Sequence, residues 1–181
     1  MAKRLIGIMG PARAGKDTLA RYLADALRPA RVLAFADPLW DAVGAVAGLG
    51  GLFDRHGPTK DAPCPALGGA TAREWAIAFG GGARSHLGAD VWVRLLLARV
   101  AALGDDATAI VVDVRKRNEA AAIRAAGGLL VGLDRDPAAR GVADTILEAD
   151  WRDIVGAPVY CNTTMDSLHG IARDIAALLH V

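Results

Sequence analysis

Short apolar runs alternate with amphipathic stretches along the 181 residues of the chain. The apolar runs predict buried strands at 4–9, 31–35, 108–113, 129–133 and 157–161. Apolar residues at helical spacing predict helices at 16–27, 71–87, 90–103, 116–126 and 166–180, with others after the Asp37-Pro38 turn and near 143–149. This alternation favours an α/β fold, a three-layer architecture with a parallel sheet of about five strands and helices on both faces.

The length of the chain predicts one domain over 1–181. Within it we expect a substrate-binding insert at about 38–90 and a mobile lid at about 134–150. Segment 48–70 is rich in Gly and Pro and too long for a plain connector, which indicates a lid or binding segment. Thr71 precedes Glu74 by three residues, a capping-box pattern that predicts a helix start. Gly80, Gly81 and Gly82 should break or bend that helix.

Composition narrows the class of protein. Hydrophobic residues make up 53% and charged residues 23%, with a net charge of +1, which gives no argument for nucleic acid or membrane binding. Cys64 and Cys161 match no metal spacing, and no run approaches the roughly 20 apolar residues of a membrane span. We therefore expect a cytoplasmic protein with a small-molecule partner; monomer and homodimer both stay open.

The strongest motif is GPARAGKDT, which follows the first strand and opens the first helix. Gly10, Gly15 and Lys16 fit the pattern of a loop whose backbone N–H groups cradle phosphates, and Lys16 would reach the β- and γ-phosphates. The pattern expects a hydroxyl at the next position, but Asp17 stands there and Thr18 follows. A carboxylate beside a polyphosphate needs a cation between them, so we expect Asp17 to hold magnesium and Thr18 to contact a phosphate nearer the adenosine.

Parallel sheets bind ligands at the carboxyl ends of their strands, so polar residues just after strands are site candidates. They lie at 10–18, Asp37, 113–115, 134–140 and 162–164. Asp113 could hold magnesium or its water. Guanidinium suits bidentate phosphate contact, and arginines cluster at this edge: Arg13, Arg73, Arg84, Arg115, Arg135 and Arg140. Arg135 and Arg140 would cover the γ-phosphate, whereas Arg94, Arg99 and Arg124 are interpreted as surface residues.

Four blocks, in order, carry a resemblance to a known family: IGIMGPARAGKDTLARYL, FADPLWDAV, TAREWAIAFGGGARSHLGADVWV and IVVDVRKRNEAAAIRAAGGLLVGLDR. The chain resembles the deoxynucleoside monophosphate kinases of bacteriophages, a branch of the P-loop nucleoside monophosphate kinases. The likeness covers most of the chain except about 48–68. Base specificity therefore cannot be carried over.

The resemblance implies ATP, Mg²⁺ and a deoxynucleoside monophosphate acceptor, with catalysis by Lys16, Arg13, Arg135 and Arg140. It implies the following sets of residues for the ligands. ATP would be held by Gly10, Ala14, Gly15, Lys16, Asp17 and Thr18. The monophosphate would be surrounded by Ala36, Asp37, Arg73, Gly80, Arg84, Trp92, Asp113, Arg115 and Glu119. The metal would be held by Asp17 and Asp113.

Two alternatives stay open at this stage. A P-loop kinase acting on a hydroxyl, such as that of dephospho-coenzyme A, would need a carboxylate base, for which Asp37 or Asp113 could serve. A non-catalytic nucleotide-binding module would need neither a general base nor arginines that hold the phosphates of a second substrate. The abundance of arginines favours the monophosphate kinase.

Overall fold

The structure is a computed structural model that describes residues 4–46, 58–136, 151–156, 158–162 and 164–179. Within these residues the strands are β1 (Arg4–Met9), β2 (Ala30–Leu33), β3 (Thr108–Val114), β4 (Leu129–Asp134) and β5 (Val159–Cys161). They pair in parallel in the order β2-β3-β1-β4-β5, and helices cover both faces of the sheet. The predicted α/β fold class is confirmed.

The helices follow the predicted spacing closely. They are α1 (Lys16–Ala26), α2 (Asp37–Val46), α3 (Ala72–Leu87), α4 (Val91–Ala101), α5 (Arg117–Ala125), α6 (Trp151–Val155) and α7 (Met165–Leu178). Two short 3-10 turns, Pro58–Asp61 and Pro65–Leu67, lie in the Gly- and Pro-rich segment. Within the described residues no helix is long and apolar enough to cross a membrane.

Near residues 33–37 two element boundaries differ from the sequence prediction. β2 ends two residues before the predicted end of 35, and α2 includes Asp37 as its first residue instead of following a turn there. Pro38 is compatible with this start because the first N–H groups of a helix have no partner within the helix. The helix expected near 143–149 lies outside the described residues, and the short helix α6 was not predicted.

The three glycines were predicted to break or bend α3; they do not break it, because the helix continues through them to Leu87. Each glycine costs about 1 kcal/mol relative to alanine in a helix, a cost that α3 tolerates. At its start Thr71 Oγ1 accepts from the Glu74 backbone N–H (3.1 Å) and Glu74 Oε2 accepts from the Thr71 N–H (2.8 Å), so the predicted capping box is confirmed. The hydrogen bonds that the Glu74 carboxylate accepts from the Thr71 backbone N–H (2.8 Å) and from the Thr71 hydroxyl (3.0 Å) lower the pKa of Glu74.

The chain divides into two compact units. The sheet unit comprises Met1–Ala34 and Arg99–Val181, and the helical unit comprises Phe35–Ala98. The helical unit contains the predicted substrate-binding insert of about 38–90. The helical unit is one continuous segment of the chain, which follows β2 and precedes β3.

The sheet unit has a core built on the central strands. Ile6 and Ile8 of β1 and Ile110 of β3 are fully buried and cluster with apolar residues of α1 and α7. β1 lies at the point where the strand order reverses, since β2 and β3 lie on one side of it and β4 and β5 on the other. Ligands of such sheets bind at the carboxyl ends of the strands at this point, which directs attention to the segment that follows Met9.

Candidate functional site

The segment between β1 and α1 is a tight loop with two glycines that no other residue could replace. Gly10 has a φ of 154°, and a Cβ there would lie 2.0 Å from the backbone oxygen of Leu133 at the end of β4. Gly15 caps α1 with a left-handed φ of 99°. The glycines therefore allow the loop to turn sharply against the neighbouring strand, and α1 directs its positive end at the loop.

Lys16 reaches back across this loop. Its Nζ donates to the backbone oxygens of Gly10 (2.8 Å) and Pro11 (2.7 Å), and the side chain is half-buried. An ammonium group needs such acceptors when water is partly excluded. The contact places a positive charge over the backbone groups that the sequence predicts to cradle phosphates.

Asn162 supports the loop from behind. It follows β5 directly, is 5% exposed, and its Nδ2 donates to the backbone oxygen of Ala14 (2.8 Å). The sequence analysis placed 162–164 at the edge of the sheet but gave Asn162 no role. Only the three-dimensional structure could show this contact, because it joins residues that are 148 positions apart.

Three further predicted ATP ligands lie around this loop in the sheet unit. Arg13 is exposed and adopts a left-handed φ of 59°. Asp17 is exposed in the first turn of α1, and the hydroxyl of the half-buried Thr18 accepts from Arg21 (3.4 Å). The carboxylate of Asp17 is thus accessible to a ligand at the positive end of the helix.

The predicted metal residues, Asp17 and Asp113, offer oxygen ligands of the kind that Mg²⁺ prefers. Asp113 is half-buried near the end of β3, the neighbour of β1 in the sheet. Among the described residues no group of three or more His, Cys, Asp or Glu side chains could hold a metal ion. Phosphate oxygens and water would therefore have to complete the coordination of Mg²⁺, which is how this ion is usually held beside nucleotides.

Glu119 has an evident structural task at the end of β3. The side chain is 4% exposed, and its Oε2 accepts from the backbone N–H groups of Arg115 (2.9 Å) and Lys116 (3.0 Å). These bonds fix the turn between β3 and α5 and present the exposed Arg115 side chain. The contact of Glu119 with substrate stays a prediction.

At the end of β4, Asp134 also accepts a hydrogen bond from the backbone of the segment that follows the strand. Its Oδ1 accepts from the backbone N–H of Arg135 (2.8 Å), and its Oδ2 forms an ion pair with Arg152. The sequence analysis gave Arg152 no role. Arg140 and the part of the predicted lid from 137 to 150 lie outside the described residues.

In the helical unit the structure brings three predicted substrate residues together. The indole N–H of Trp92, a buried residue, donates to the backbone oxygen of Gly80 (3.2 Å). A Cβ on Gly80 would lie 3.2 Å from Leu39 of α2 and 3.9 Å from a guanidinium nitrogen of Arg84. Gly80, Arg84 and Trp92 therefore form one cluster, and the absent side chain at Gly80 lets α2 approach α3.

The other predicted residues of this unit lie on separate elements. Ala36 and Asp37 stand at the start of α2, where the oxygen of Ala36 accepts from the N–H of Trp40 (3.0 Å). The Arg73 guanidinium pairs with Asp61, with 2.5 Å between Nε and Oδ1. This hydrogen bond lowers the pKa of Asp61 and raises the pKa of Arg73, which stays positively charged. No sequence signal points to this pairing.

Comparison with known proteins identifies the fold. No family model matches the chain, and no curated protein matches it. Shikimate kinase from Acinetobacter baumannii, solved in complex with shikimate, aligns with a TM-score of 0.51 at 15% identity over 99% of this chain and 93% of its own. A protein from Chloroflexus aurantiacus named "putative kinase" aligns with a TM-score of 0.52 at 15% identity over 99% and 97%. The chain therefore has the P-loop kinase fold.

The two backbone bonds of Glu119 lead to a prediction for its removal. Glu119→Ala should lower the free energy of unfolding by about 2 kcal/mol, because two partly buried N–H groups lose their acceptor. Urea denaturation followed by tryptophan fluorescence would measure this. Glu119→Gln retains one acceptor oxygen and should lose less. Unchanged stability in the alanine variant would contradict the structural task and leave substrate contact as the role of this carboxylate.

Proposed function

We propose that the protein transfers the γ-phosphoryl group of ATP to a deoxynucleoside monophosphate. The bond between the γ-phosphorus and the bridging oxygen of ATP breaks, an oxygen of the acceptor phosphate forms the new bond, and ADP and the nucleoside diphosphate leave. Because the acceptor is already an anion, the reaction needs positioning and charge neutralisation instead of a general base.

The observation that carries the proposal is the glycine-built loop after β1 with Lys16 above it. Gly10 and Gly15 allow the turn, and Nζ of Lys16 lies within 2.8 Å of two loop oxygens. Phosphate oxygens of ATP would replace those carbonyls as acceptors for the ammonium group. The P-loop kinase fold supports the same use of the loop.

Mg²⁺ would be held by Asp17 and Asp113 together with phosphate oxygens, where it would neutralise charge on the β- and γ-phosphates. Arg13 and Arg135 would add positive charge on the donor side. Arg140 is proposed for the same task from the sequence alone.

The acceptor is proposed from the arginines and from the resemblance of the sequence blocks. The cluster of Gly80, Arg84 and Trp92 joins a half-buried guanidinium to a buried indole, a combination that suits a phosphate and a base. Arg73, Asp37 and Ala36 of the helical unit, and Arg115 of the sheet unit, are proposed for the acceptor from the sequence alone.

A second candidate is a kinase for a hydroxyl-bearing metabolite. The shikimate kinase neighbour, whose structure contains shikimate, favours it at the level of fold. In that case Asp37 or Asp113 would take the hydroxyl proton. A non-catalytic nucleotide-binding module is the third reading.

A coupled assay for ADP release with a panel of acceptors tests the proposal. At least one deoxynucleoside monophosphate should raise turnover well above the rate with ATP alone, and Lys16→Ala should lower that rate by about 100-fold or more while the protein stays folded. The panel includes dephospho-coenzyme A and shikimate. Stimulation by these alone would favour the hydroxyl kinase, and no stimulation by any acceptor would favour the binding module.

The acceptor cluster predicts a specific effect of Arg84. Arg84→Met should lower kcat/KM for the monophosphate by about 30-fold, the equivalent of about 2 kcal/mol for a lost charged hydrogen bond, and leave the Kd for ATP unchanged. Arg94→Met is the matched control. Arg94 is an exposed residue of α4 whose side chain donates to the backbone oxygen of Leu87, the last residue of the helix that carries Arg84. Equal kcat/KM values for both variants would remove Arg84 from the acceptor site.

The exposed carboxylate of Asp17 predicts a change in metal dependence. Asp17→Asn removes a negative charge that we propose holds Mg²⁺, so the magnesium concentration for half-maximal rate should rise by about fivefold, or about 1 kcal/mol. A magnesium titration at saturating ATP measures this value. A midpoint equal to that of the unmodified protein would refute the metal role of Asp17.

A further inference from the structure

We propose that Asn162 is a positioning residue for the phosphate loop, which holds the Ala14 carbonyl so that the Gly15 backbone N–H is directed at a bound phosphate chain. The inference rests on the proposed function only to the extent that the loop must bind a polyphosphate. It does not depend on which acceptor the protein uses.

The Asn162 side chain is fixed on both of its polar atoms. Nδ2 donates to the oxygen of Ala14 (2.8 Å), and Oδ1 lies 3.2 Å from the hydroxyl of Ser167 in the first turn of α7, whose single proton is shared with the nearer oxygen of Thr164 (2.6 Å). The assignment of the amide nitrogen follows from chemistry, because a carbonyl oxygen can only accept. The Asn162 backbone is anchored as well, since its N–H donates to the oxygen of Asp134 at the end of β4 (2.8 Å).

Because the peptide bond is planar, this contact also determines the orientation of the peptide between Ala14 and Gly15. In a trans peptide the carbonyl of one residue and the N–H of the next point in opposite directions. The bond from Asn162 draws the Ala14 carbonyl towards β5 and α7, so the Gly15 N–H points away from them. A carbonyl on the phosphate side would present negative partial charge to an anion, and the Asn162 bond prevents that orientation.

Gly15 and Asn162 are fitted to one another. A Cβ on Gly15 would lie 2.8 Å from Nδ2 of Asn162 and 3.3 Å from Leu168 of α7. The absence of a side chain at Gly15 therefore lets Asn162 approach the loop backbone, in addition to allowing the left-handed φ of 99°. Because Asn162 is buried, water cannot easily replace its amide as the donor to Ala14.

Calorimetric titration with MgATP and with magnesium tripolyphosphate tests the inference. In Asn162→Ala and Asn162→Leu the Kd for both ligands should rise by about tenfold, because both variants remove the donor to Ala14. The leucine variant fills the space that alanine leaves empty. Tripolyphosphate is the deciding probe, since it has no base or ribose.

Arg124→Ala is the matched control. Arg124 also connects segments that are distant in sequence, because its side chain donates to the backbone oxygens of Ile154 (2.8 Å) and Val155 (2.7 Å). It lies at the end of α5, away from the phosphate loop. Its loss should lower the melting temperature and leave both Kd values within about twofold.

Three outcomes would overturn the inference. Weaker ATP binding with unchanged tripolyphosphate binding would mean that Asn162 serves the nucleoside instead. Unchanged Kd values for both ligands, or loss of folding in both Asn162 variants, would leave only a structural role. If the Kd values change as expected but no deoxynucleoside monophosphate is phosphorylated, the proposed acceptor is wrong and the role of Asn162 stands.

Discussion

The phosphate loop depends on the close approach of the Gly10 backbone to β4. Any side chain at residue 10 would overlap the backbone oxygen of Leu133, 2.0 Å from where its Cβ would be. Since Leu133 is itself fully buried in a strand paired with β1, the strand cannot move away without loss of the sheet. This contact fixes where the loop begins, and the buried Ala14 and Leu19 fix where it ends and where α1 starts. Both ends of the loop are therefore anchored in the core.

The sequence predicted those features that depend on neighbouring residues. Apolar runs located the strands to within two residues at their clearest ends, the Thr71 and Glu74 pair located the start of α3, and the glycine and lysine spacing located the phosphate loop. Each of these signals is local, because it comes from backbone conformation or from side chains a few positions apart.

The features that the sequence did not predict involve contacts between distant parts of the chain. The sequence predicts that Arg73 contacts the substrate, a prediction that stays untested, but it gives no sign of the ion pair between Arg73 and Asp61. The three glycines of α3 predict a break or a bend, but the helix is unbroken, and the close approach of Leu39 and of the Trp92 indole explains why residue 80 has no side chain. Local propensity was overridden here by tertiary contacts.

The separation of Asn162 from Ala14 along the chain has a consequence for the synthesis of the protein. Asn162 leaves the ribosome 148 residues after Ala14, and α7 follows it. Contacts of such long range form slowly, because a long chain segment must be closed before they contribute any stability. During synthesis the loop thus exists for a long interval without the Asn162 amide that donates to Ala14. A nascent chain would complete the surroundings of its phosphate loop only after α7 has also emerged.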